Sequence, residues 1–208
     1  MRKKATTGKS KKTKAAPKAA VSKPKKVPLV RAYLAVSMDG YIADSKGGVD
    51  WLTPYFSPEI DFGKFMSEIG ATIMGRRTFE FVHGSSAGGG SASGAPTNLV
   101  LTRRPLPKNA RGSFAVKSKL PEAVAKLKEL LSRKGKDIWL MGGGNCIDAF
   151  DALGLIDRFE ISIIPVTLGD GISLFPKNKR PGRDLTLTHS KVLSNGVVNL
   201  QLVPTKKA

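Results

Sequence analysis

Residues 136–153, KDIWLMGGGNCIDAFDAL, join an apolar run, three consecutive glycines and a second apolar segment. Residues 136–140 have the character of a short buried strand, and residues 147–153 have the apolar spacing of a helix. Glycines at such a junction allow another backbone or a phosphate to approach closely, because they have no Cβ atom. Amides at the start of the next helix would point toward an anion bound there. The segment therefore predicts either a tight turn or a phosphate-binding loop.

Strand-like and helix-like segments alternate along the rest of the chain from residue 28 onward. The predicted strands are 29–36, 71–74, 98–102, 113–116, 136–140 and 158–164. The predicted helices are 58–68, closed by Gly70, and 77–82, 120–133 and 147–153. Residues 45–58 and the glycine-rich and serine-rich segment 83–97 are predicted to be loops. The chain closes with a predicted hairpin, in which strands 185–193 and 197–203 flank the turn 194–196. This alternation indicates an α/β fold with a mostly parallel sheet, helices on both faces and an antiparallel edge.

Charge divides the chain into a basic tail and one domain. The net charge of +19 arises from 35 basic and 16 acidic residues, and eleven of the basic residues and none of the acidic ones lie in residues 1–26. Such a composition cannot bury enough apolar surface to fold, so residues 1–27 are predicted to be a disordered tail and residues 28–205 one domain. The tail either keeps the protein soluble or contacts nucleic acid or another polyanion nonspecifically.

Composition also excludes several classes of protein. Apolar runs are too short to cross a membrane. Cys146 is the single cysteine, which excludes an internal disulfide and favours a reducing, cytoplasmic location. The two histidines, His83 and His189, are far apart in the chain and have no ligand-like neighbours. No metal site is therefore expected.

Two further predicted strands end in cationic or hydroxyl-bearing groups. Gly75 is followed by Arg76, Arg77 and Thr78, and Leu101 is followed by Thr102 and Arg103. Arginine offers a two-pronged donor to phosphate, and threonine and helix amides add further donors. Ligands of open α/β sheets bind beyond the carboxyl ends of the strands, so three such ends could hold one ligand with several phosphates. Taken singly, each segment is equally compatible with a turn or with solvated surface charge.

Taken in order, these segments resemble the dihydrofolate reductase-like superfamily. More narrowly, they resemble bacterial proteins related to the C-terminal reductase domain of the riboflavin-biosynthesis deaminase–reductase. The matching motifs are SMDGYIA at 37–43, MGRRTFE at 74–80, LTR at 101–103, MGGG at 141–144, PVTLGDG at 165–171 and LFP at 174–176. The resemblance implies a three-layer α/β/α fold, and a homodimer formed through the C-terminal strands.

The resemblance implies NADPH as the cofactor. It places Arg76, Thr102 and Arg103 at the adenosine 2′-phosphate, and Arg77 and Thr78 at the pyrophosphate. The remaining cofactor-binding positions that it implies are Ala35 and Ile42 beside the nicotinamide, the strand ends Gly75 and Leu101, and the loop residues Met141, Gly142, Gly143, Gly144, Asn145 and Cys146. No acidic residue is expected beside these arginines, and this favours NADPH over NADH, because a ribose hydroxyl would instead take an acidic partner.

The resemblance also suggests residues for catalysis and substrate binding. Asp61 is the nearest counterpart of the acid that holds the pterin in folate reductases, and Ser162 matches its hydroxyl partner. Asp61 is also explained as an acid at a helix start. Asp39 matches an acid near the reaction centre, or belongs to an Asp-Gly turn. Ser37 and Trp51 are candidates for substrate contact, although Trp51 also suits the core.

These observations predict a cytoplasmic NADPH-dependent reductase that transfers hydride to a small heterocycle of the pterin or aminouracil type. Its proton would come from Asp61 or from water. The alternative is a catalytically weak nucleotide-binding protein whose basic arm, residues 1–26, binds nucleic acid or another polyanion. A thiol enzyme that uses Cys146 is disfavoured, because no histidine lies convincingly nearby in the chain.

Overall fold

The computed structural model describes residues 26–84, 97–108, 110, 113–116, 119–176 and 182–205. The strands are β1 (Val30–Ser37), β2 (Tyr41–Ala43), β3 (Ile69–Gly75), β4 (Asn98–Leu101), β5 (Ser113–Val116), β6 (Asp137–Gly142), β7 (Arg158–Ile164), β8 (Ile172–Ser173), β9 (Leu185–Val192) and β10 (Val198–Pro204). The helices are α1 (Phe62–Glu68), α2 (Arg76–Gly84), α3 (Leu120–Ser132) and α4 (Gly144–Ala152), and a 3-10 helix spans Asp50–Tyr55.

Eight of the described strands form one sheet, in the order β5-β4-β3-β6-β1-β7-β10-β9. The first six are parallel, whereas β10 runs antiparallel to both β7 and β9. Strands β2 and β8 form a separate antiparallel pair. The predicted fold class, a mostly parallel sheet with an antiparallel C-terminal hairpin, is confirmed.

Helices cover the two faces of the sheet with different cores. On one face, α3 and α4 pack over β1, β3 and β6, and Phe150, Ile147 and Ile138 are fully buried there. On the other face, Phe65 of α1 packs against Trp139 of β6. The alternation of apolar residues along the strands produces both cores, because successive strand side chains point to opposite faces.

Helix α1 begins later than the predicted 58–68. Asp61 caps it, since its Oδ1 accepts a hydrogen bond from the amide of Lys64 at 2.8 Å. Glu59 lies before the cap, where its carboxylate accepts hydrogen bonds from the amide (2.9 Å) and hydroxyl (2.6 Å) of Ser194 in the C-terminal turn. A contact distant in sequence therefore holds residue 59 outside the helix.

Gly70 does not end the helix as predicted but lies inside β3. A Cβ atom there would be 2.6 Å from Leu131 Cδ2 and 2.7 Å from Lys136 Cβ, so this glycine allows α3 and the start of β6 to pack against β3.

Other boundaries also differ from the predictions. Helix α4 begins at Gly144 instead of 147, and residues 50–55 form a 3-10 helix within the predicted loop. Of the predicted loop 83–97, residues 85–96 lie outside the described residues, as do residues 1–25 of the predicted tail. Lys26, the first residue described, forms an ion pair with the buried Asp137 at 2.9 Å.

Two absences concern the described residues alone. None of their helices has the length and apolar character needed to cross a membrane. Their His, Cys, Asp and Glu side chains form no group of three or more that could hold a metal ion.

Candidate functional site

Strands β1 and β6 separate part-way along the sheet. They pair only at Val30–Ile138 and Arg31–Trp139, whereas β1 remains paired with β7 to its last residue and β6 remains paired with β3. The indole Nε1 of Trp139 donates to the carbonyl of Tyr33 at 2.9 Å, just beyond the last paired residues. The gap lies toward the carboxyl ends of the strands, which is where open α/β sheets bind their ligands. We call this gap the β1–β6 crevice.

The turn after β1 is connected to residues 165–171 through Asp39. Ser37 is buried, and its hydroxyl donates to Asp39 Oδ1 at 2.6 Å and accepts from the amide of Tyr41 at 2.9 Å. The same carboxylate accepts from the amides of Leu168 (3.0 Å) and Gly169 (2.7 Å). The Ser37 hydroxyl, with these amides, lowers the pKa of Asp39 below its ordinary value. The geometry thus matches the turn role considered for Asp39, and its catalytic role and the substrate contact of Ser37 stay predictions.

The glycine-rich loop forms the other side of the crevice, and two of its three glycines, Gly142 and Gly144, are required by the local geometry. Gly142 has a φ of +107°, which is strained for any other residue. Gly143 donates its amide to Thr78 Oγ1 at 3.0 Å, so the loop touches the start of α2. A Cβ atom on Gly144 would overlap the carbonyl oxygen of Ser173. The close approach expected at this loop is therefore made, at Gly144, by another backbone.

Donors remain free where α4 begins. The amides of Gly144 and Asn145 have no hydrogen-bond acceptor among the described residues. Such amides carry the positive end of the helix dipole and suit an anion. The predicted phosphate-binding loop therefore still has two amide donors that form no hydrogen bond with a described residue.

The strand ends of β3 and β4 lie side by side, because Gly75 pairs with Leu101. Arg76 Nε donates to Glu80 Oε1 at 2.6 Å and Arg76 Nη1 donates to the carbonyl of Pro105 at 2.7 Å. Arg104 Nη2 lies 3.8 Å from the same carboxylate. The expectation that no acid lies beside these arginines is therefore wrong. The spacing of four residues between Arg76 and Glu80 on a helix was the signal for this contact.

Two other arginines in this region remain available. Arg77 and Arg103 are exposed, and neither forms a salt bridge with a described residue. In the turn after β4, Thr102 Oγ1 accepts a hydrogen bond of 3.1 Å from the amide of Arg104. The segments after β3, β4 and β6 thus adjoin one another, with exposed cations at two of them.

A polar cavity of about 330 Å³ lies on the α1 face of the sheet, between α1 and the strands β7, β10 and β9. Asp61 and Ser162 both line it. Ser162 is the direct partner of Ala35 in the β1–β7 pairing, so the cavity extends to the strand β1 that borders the crevice. The Ser162 hydroxyl donates to Asn199 Oδ1 at 2.7 Å. The expected pairing of Ser162 with Asp61 is not formed.

Paired charges around Arg31 line one end of the cavity. This ionic network was not predicted from the sequence. Arg31, 5% exposed, makes two hydrogen bonds of 2.8 Å to Glu160 and one to Glu68, and its guanidinium lies 4.7 Å from the centre of the Phe65 ring. Burial alone would lower the pKa of Arg31, but these hydrogen bonds and charges raise it above its ordinary value. Arg31 is permanently charged. Its pairing with Glu160 could have been predicted, because each residue is a charged side chain within a mostly apolar strand.

The remaining predicted residues lie in apolar surroundings. Trp51 and Ala35 both pack against the buried cluster of Ile164, Leu193 and Val197. The Nε1 atom of Trp51 is buried without an acceptor among the described residues. Ile42 packs against the main core. Cys146 is buried, which raises the pKa of its thiol to about 12 and disfavours a thiolate enzyme. A nicotinamide contact at Ala35 and Ile42 stays a prediction.

Residues 28–199 match the family model of the RibD C-terminal domain. The chain belongs to this family. It is 32% identical to the uncharacterized protein YyaP of Bacillus subtilis (strain 168) over 177 residues, which cover 80% of this chain and 90% of YyaP. Family membership supports a reductase of the RibD and dihydrofolate reductase type, as the motifs predicted.

Solved structures agree on the fold. A protein of Shewanella sp. PV-4 that is described as a riboflavin biosynthesis protein has a TM-score of 0.74 and 26% identity, over 86% of this chain and 99% of that one. Dihydrofolate reductase from Enterococcus faecalis, complexed with NADP(H) and RAB-propyl, has a TM-score of 0.59 and 19% identity, over 87% of this chain and 99% of that one. The second likeness shows the shared fold alone.

Proposed function

We propose that the protein is an NADPH-dependent reductase that reduces a small heterocycle of the pterin or aminouracil type. The observation that carries the proposal is the β1–β6 crevice, with the phosphate-suited ends of β3, β4 and β6 on one side of it. The polar cavity beside β1 adjoins it. The dihydrofolate reductase of the same fold was solved with NADP(H), which supports the choice of ligand class.

The residues present fit a dinucleotide with an extra phosphate. The free amides of Gly144 and Asn145 would take the pyrophosphate together with Arg77. Arg76 and Arg103 would take the 2′-phosphate, for which planar, permanently charged guanidinium groups are suited. Glu80 lowers the net positive charge of this cluster but leaves it positive, because Arg76, Arg77, Arg103 and Arg104 outnumber it.

The cavity would hold the substrate beside the reacting end of the cofactor. NADPH supplies the hydride when bound. Ala35, the strand position expected beside the nicotinamide, is the direct neighbour of Ser162 in the sheet. A ring bound against Ser162 would thus lie next to the crevice, and the cavity volume of about 330 Å³ suits one small ring system.

The chain's own contribution is orientation, and the delivery of one proton. Asp61 is exposed at the cavity and uses Oδ1 to cap α1, and its Oδ2 forms no hydrogen bond or ion pair with a described residue. Either this oxygen or a water molecule beside it would pass the proton to the substrate. Burial of the ring between α1 and the sheet would keep bulk water from the reacting atoms.

Calorimetry with NADPH and NADH, followed by a spectroscopic assay of NADPH oxidation with dihydropterin and aminouracil substrates, tests this proposal. We expect saturable NADPH binding with a dissociation constant on the order of micromolar, weaker binding of NADH, and turnover with at least one heterocycle. Absence of binding of both nucleotides at millimolar concentration would contradict the proposal.

A homodimer through the C-terminal strands and a cytoplasmic location belong to the same proposal. All eight residues of the edge strand β9 are exposed, among them Leu187 and Val192. An exposed edge strand with apolar side chains is a surface that a second copy could cover.

A further inference from the structure

Ser162 of β7 and Asn199 of β10 form a hydrogen-bonded pair in the wall of the cavity. The two residues are direct partners in the antiparallel pairing, and Ser162 Oγ donates to Asn199 Oδ1 at 2.7 Å. A serine hydroxyl has one hydrogen, so this bond leaves the serine oxygen able only to accept. The same bond occupies the amide oxygen of Asn199 and leaves its NH₂ group as a donor. The pair therefore carries one acceptor and one donor side by side.

Several charged groups around the cavity are paired with one another. Arg31 is held by Glu160 and Glu68, and Lys191 lies 3.3 Å from Glu59. Ser162 and Asn199 are neutral and only partly buried, and Asn199 Nδ2 donates to no acceptor among the described residues. A ligand that bonded to one of the ion-paired groups would have to compete with that group's partner. A ligand that bonded to Ser162 Oγ or Asn199 Nδ2 would use hydrogen-bonding capacity that is still free.

We infer that Ser162 and Asn199 determine substrate specificity by recognising the lactam edge of the heterocycle. Asn199 Nδ2 donates to the ring carbonyl, and Ser162 Oγ accepts the adjacent ring N–H. This inference rests on the proposed function, because it places the substrate in the cavity next to Ala35. A partly buried site built to bond an N–H discriminates strongly against an analogue without it, since its own polar atoms are left unpaired.

The test compares two probes, lumazine and 1,3-dimethyllumazine, which differ in that methyl groups replace both ring N–H groups. Binding is followed by probe fluorescence in the full chain with NADPH present. We expect wild type to bind lumazine at least about tenfold more tightly than the dimethyl compound. Asn199→Asp, which replaces the donor with an acceptor, and Ser162→Ala should each remove most of this preference. Equal binding of the two probes, or no binding of lumazine, would overturn the inference.

Ser190→Ala is the matched control, because Ser190 is an exposed serine of the same hairpin whose strand partner is Leu200 and which does not line the cavity. It should retain the full preference for lumazine. The dissociation constant of NADPH is measured for every variant. Unchanged NADPH affinity shows that a variant is folded, and NADPH binding without preference between the probes would overturn the specificity inference while leaving the cofactor proposal intact. Failure of NADPH to bind wild type would instead contradict the proposed function.

Discussion

Glu80 reduces the net positive charge of the arginine cluster at the proposed cofactor site. Its carboxylate lies 2.6 Å from Arg76 Nε, and Arg76 in turn lowers the pKa of Glu80 below its ordinary value. An acid at this place weakens the attraction of the arginine cluster for a 2′-phosphate, because charges of opposite sign partly cancel at short range. The side chain is 46% exposed, so solvent moderates the effect.

Glu80→Gln should therefore increase the preference for NADPH over NADH. Glutamine keeps an acceptor for Arg76 Nε but removes the negative charge, so we expect NADPH affinity to rise about threefold at low salt, with NADH affinity unchanged. Calorimetry at two ionic strengths measures this, and the gain should shrink as salt is added. Glu122→Gln, an exposed change on α3, is the control. A loss of NADPH affinity would show that Glu80 chiefly positions Arg76.

Gly144→Ala should destabilise the fold. The new methyl group would overlap the carbonyl oxygen of Ser173, a backbone atom that cannot rotate away. Overpacking of this kind costs about 1–3 kcal/mol, which chemical denaturation would detect. Gly84→Ala is the control, because nothing lies within 4 Å of the Cβ position there. Equal stability of the two variants would contradict the close approach at Gly144.

These residues also show which local features a sequence can predict. The three glycines of 142–144 indicated close approach, but the approaching group at Gly144 belongs to residue 173, which the sequence places far away. The contact between Glu80 and Arg76 could have been predicted from their spacing of four residues alone. The partner of Ser162 depended on the β7–β10 register, which no local pattern specifies.

Helix α1 connects the fold to the proposed chemistry. Asp61 caps this helix and also lines the cavity, so its structural and catalytic roles need separate tests. Resemblance to folate reductases suggested Asp61 as the nearest counterpart of the substrate-binding acid, and that role stays a prediction. The predicted start of the helix was wrong. The boundary depends on Glu59, whose bonds to Ser194 cross 135 residues of sequence.

Asp61→Asn should separate the two roles. Asparagine caps helices as well as aspartate does, so stability should be retained, whereas Asp61→Ala should lose about 1 kcal/mol. If Asp61 delivers the proton, both variants lose turnover, and the loss is in kcat with NADPH affinity preserved. Denaturation and steady-state kinetics provide the two readouts. Full activity of Asp61→Asn would assign the proton to water.

The contact between Glu59 and the C-terminal turn predicts a dependence of stability on pH. The Ser194 hydroxyl and amide, together with Lys191, lower the pKa of Glu59 from 4.5 to about 2. Because the folded-state pKa is depressed, the contact stabilises the protein above the ordinary pKa and loses this effect as pH falls from about 4.5 toward 2. Thermal melts of wild type and Glu59→Gln should therefore differ most at neutral pH and converge in acid. A constant difference across this range would exclude ionisation of Glu59 as the cause.

For the whole molecule, the alternation of strands and helices was sufficient to predict a mostly parallel sheet with a terminal hairpin. It did not predict the strand order or the separation of β1 from β6, because both depend on pairing between distant segments. The crevice and the cavity arise from this pairing. Motif resemblance therefore predicted which segments would bind a cofactor, whereas the cavity wall formed by β9 and β10 required the structure.

Removal of residues 1–25 tests whether the basic tail is separable from the domain. Lys26 is retained in this variant because it pairs with Asp137. The deletion removes ten of the eleven basic residues in 1–26. We expect NADPH affinity to be unchanged and retention on immobilised DNA, measured over a salt gradient, to be lost at lower salt than in the full chain. A parallel loss of NADPH affinity would show that the tail contributes to the site.

In the proposed function, one dinucleotide spans the carboxyl ends of β4, β3, β6 and β1. The most direct test is an NMR titration of the isotopically labelled full chain with NADPH, monitoring backbone amides. We predict that the amides of Thr78, Thr102, Gly144 and Asn145 shift together with a single dissociation constant, while those of the exposed strand β9 stay unchanged. Shifts confined to other surfaces, or different dissociation constants at the ends of β3, β4 and β6, would contradict this binding mode.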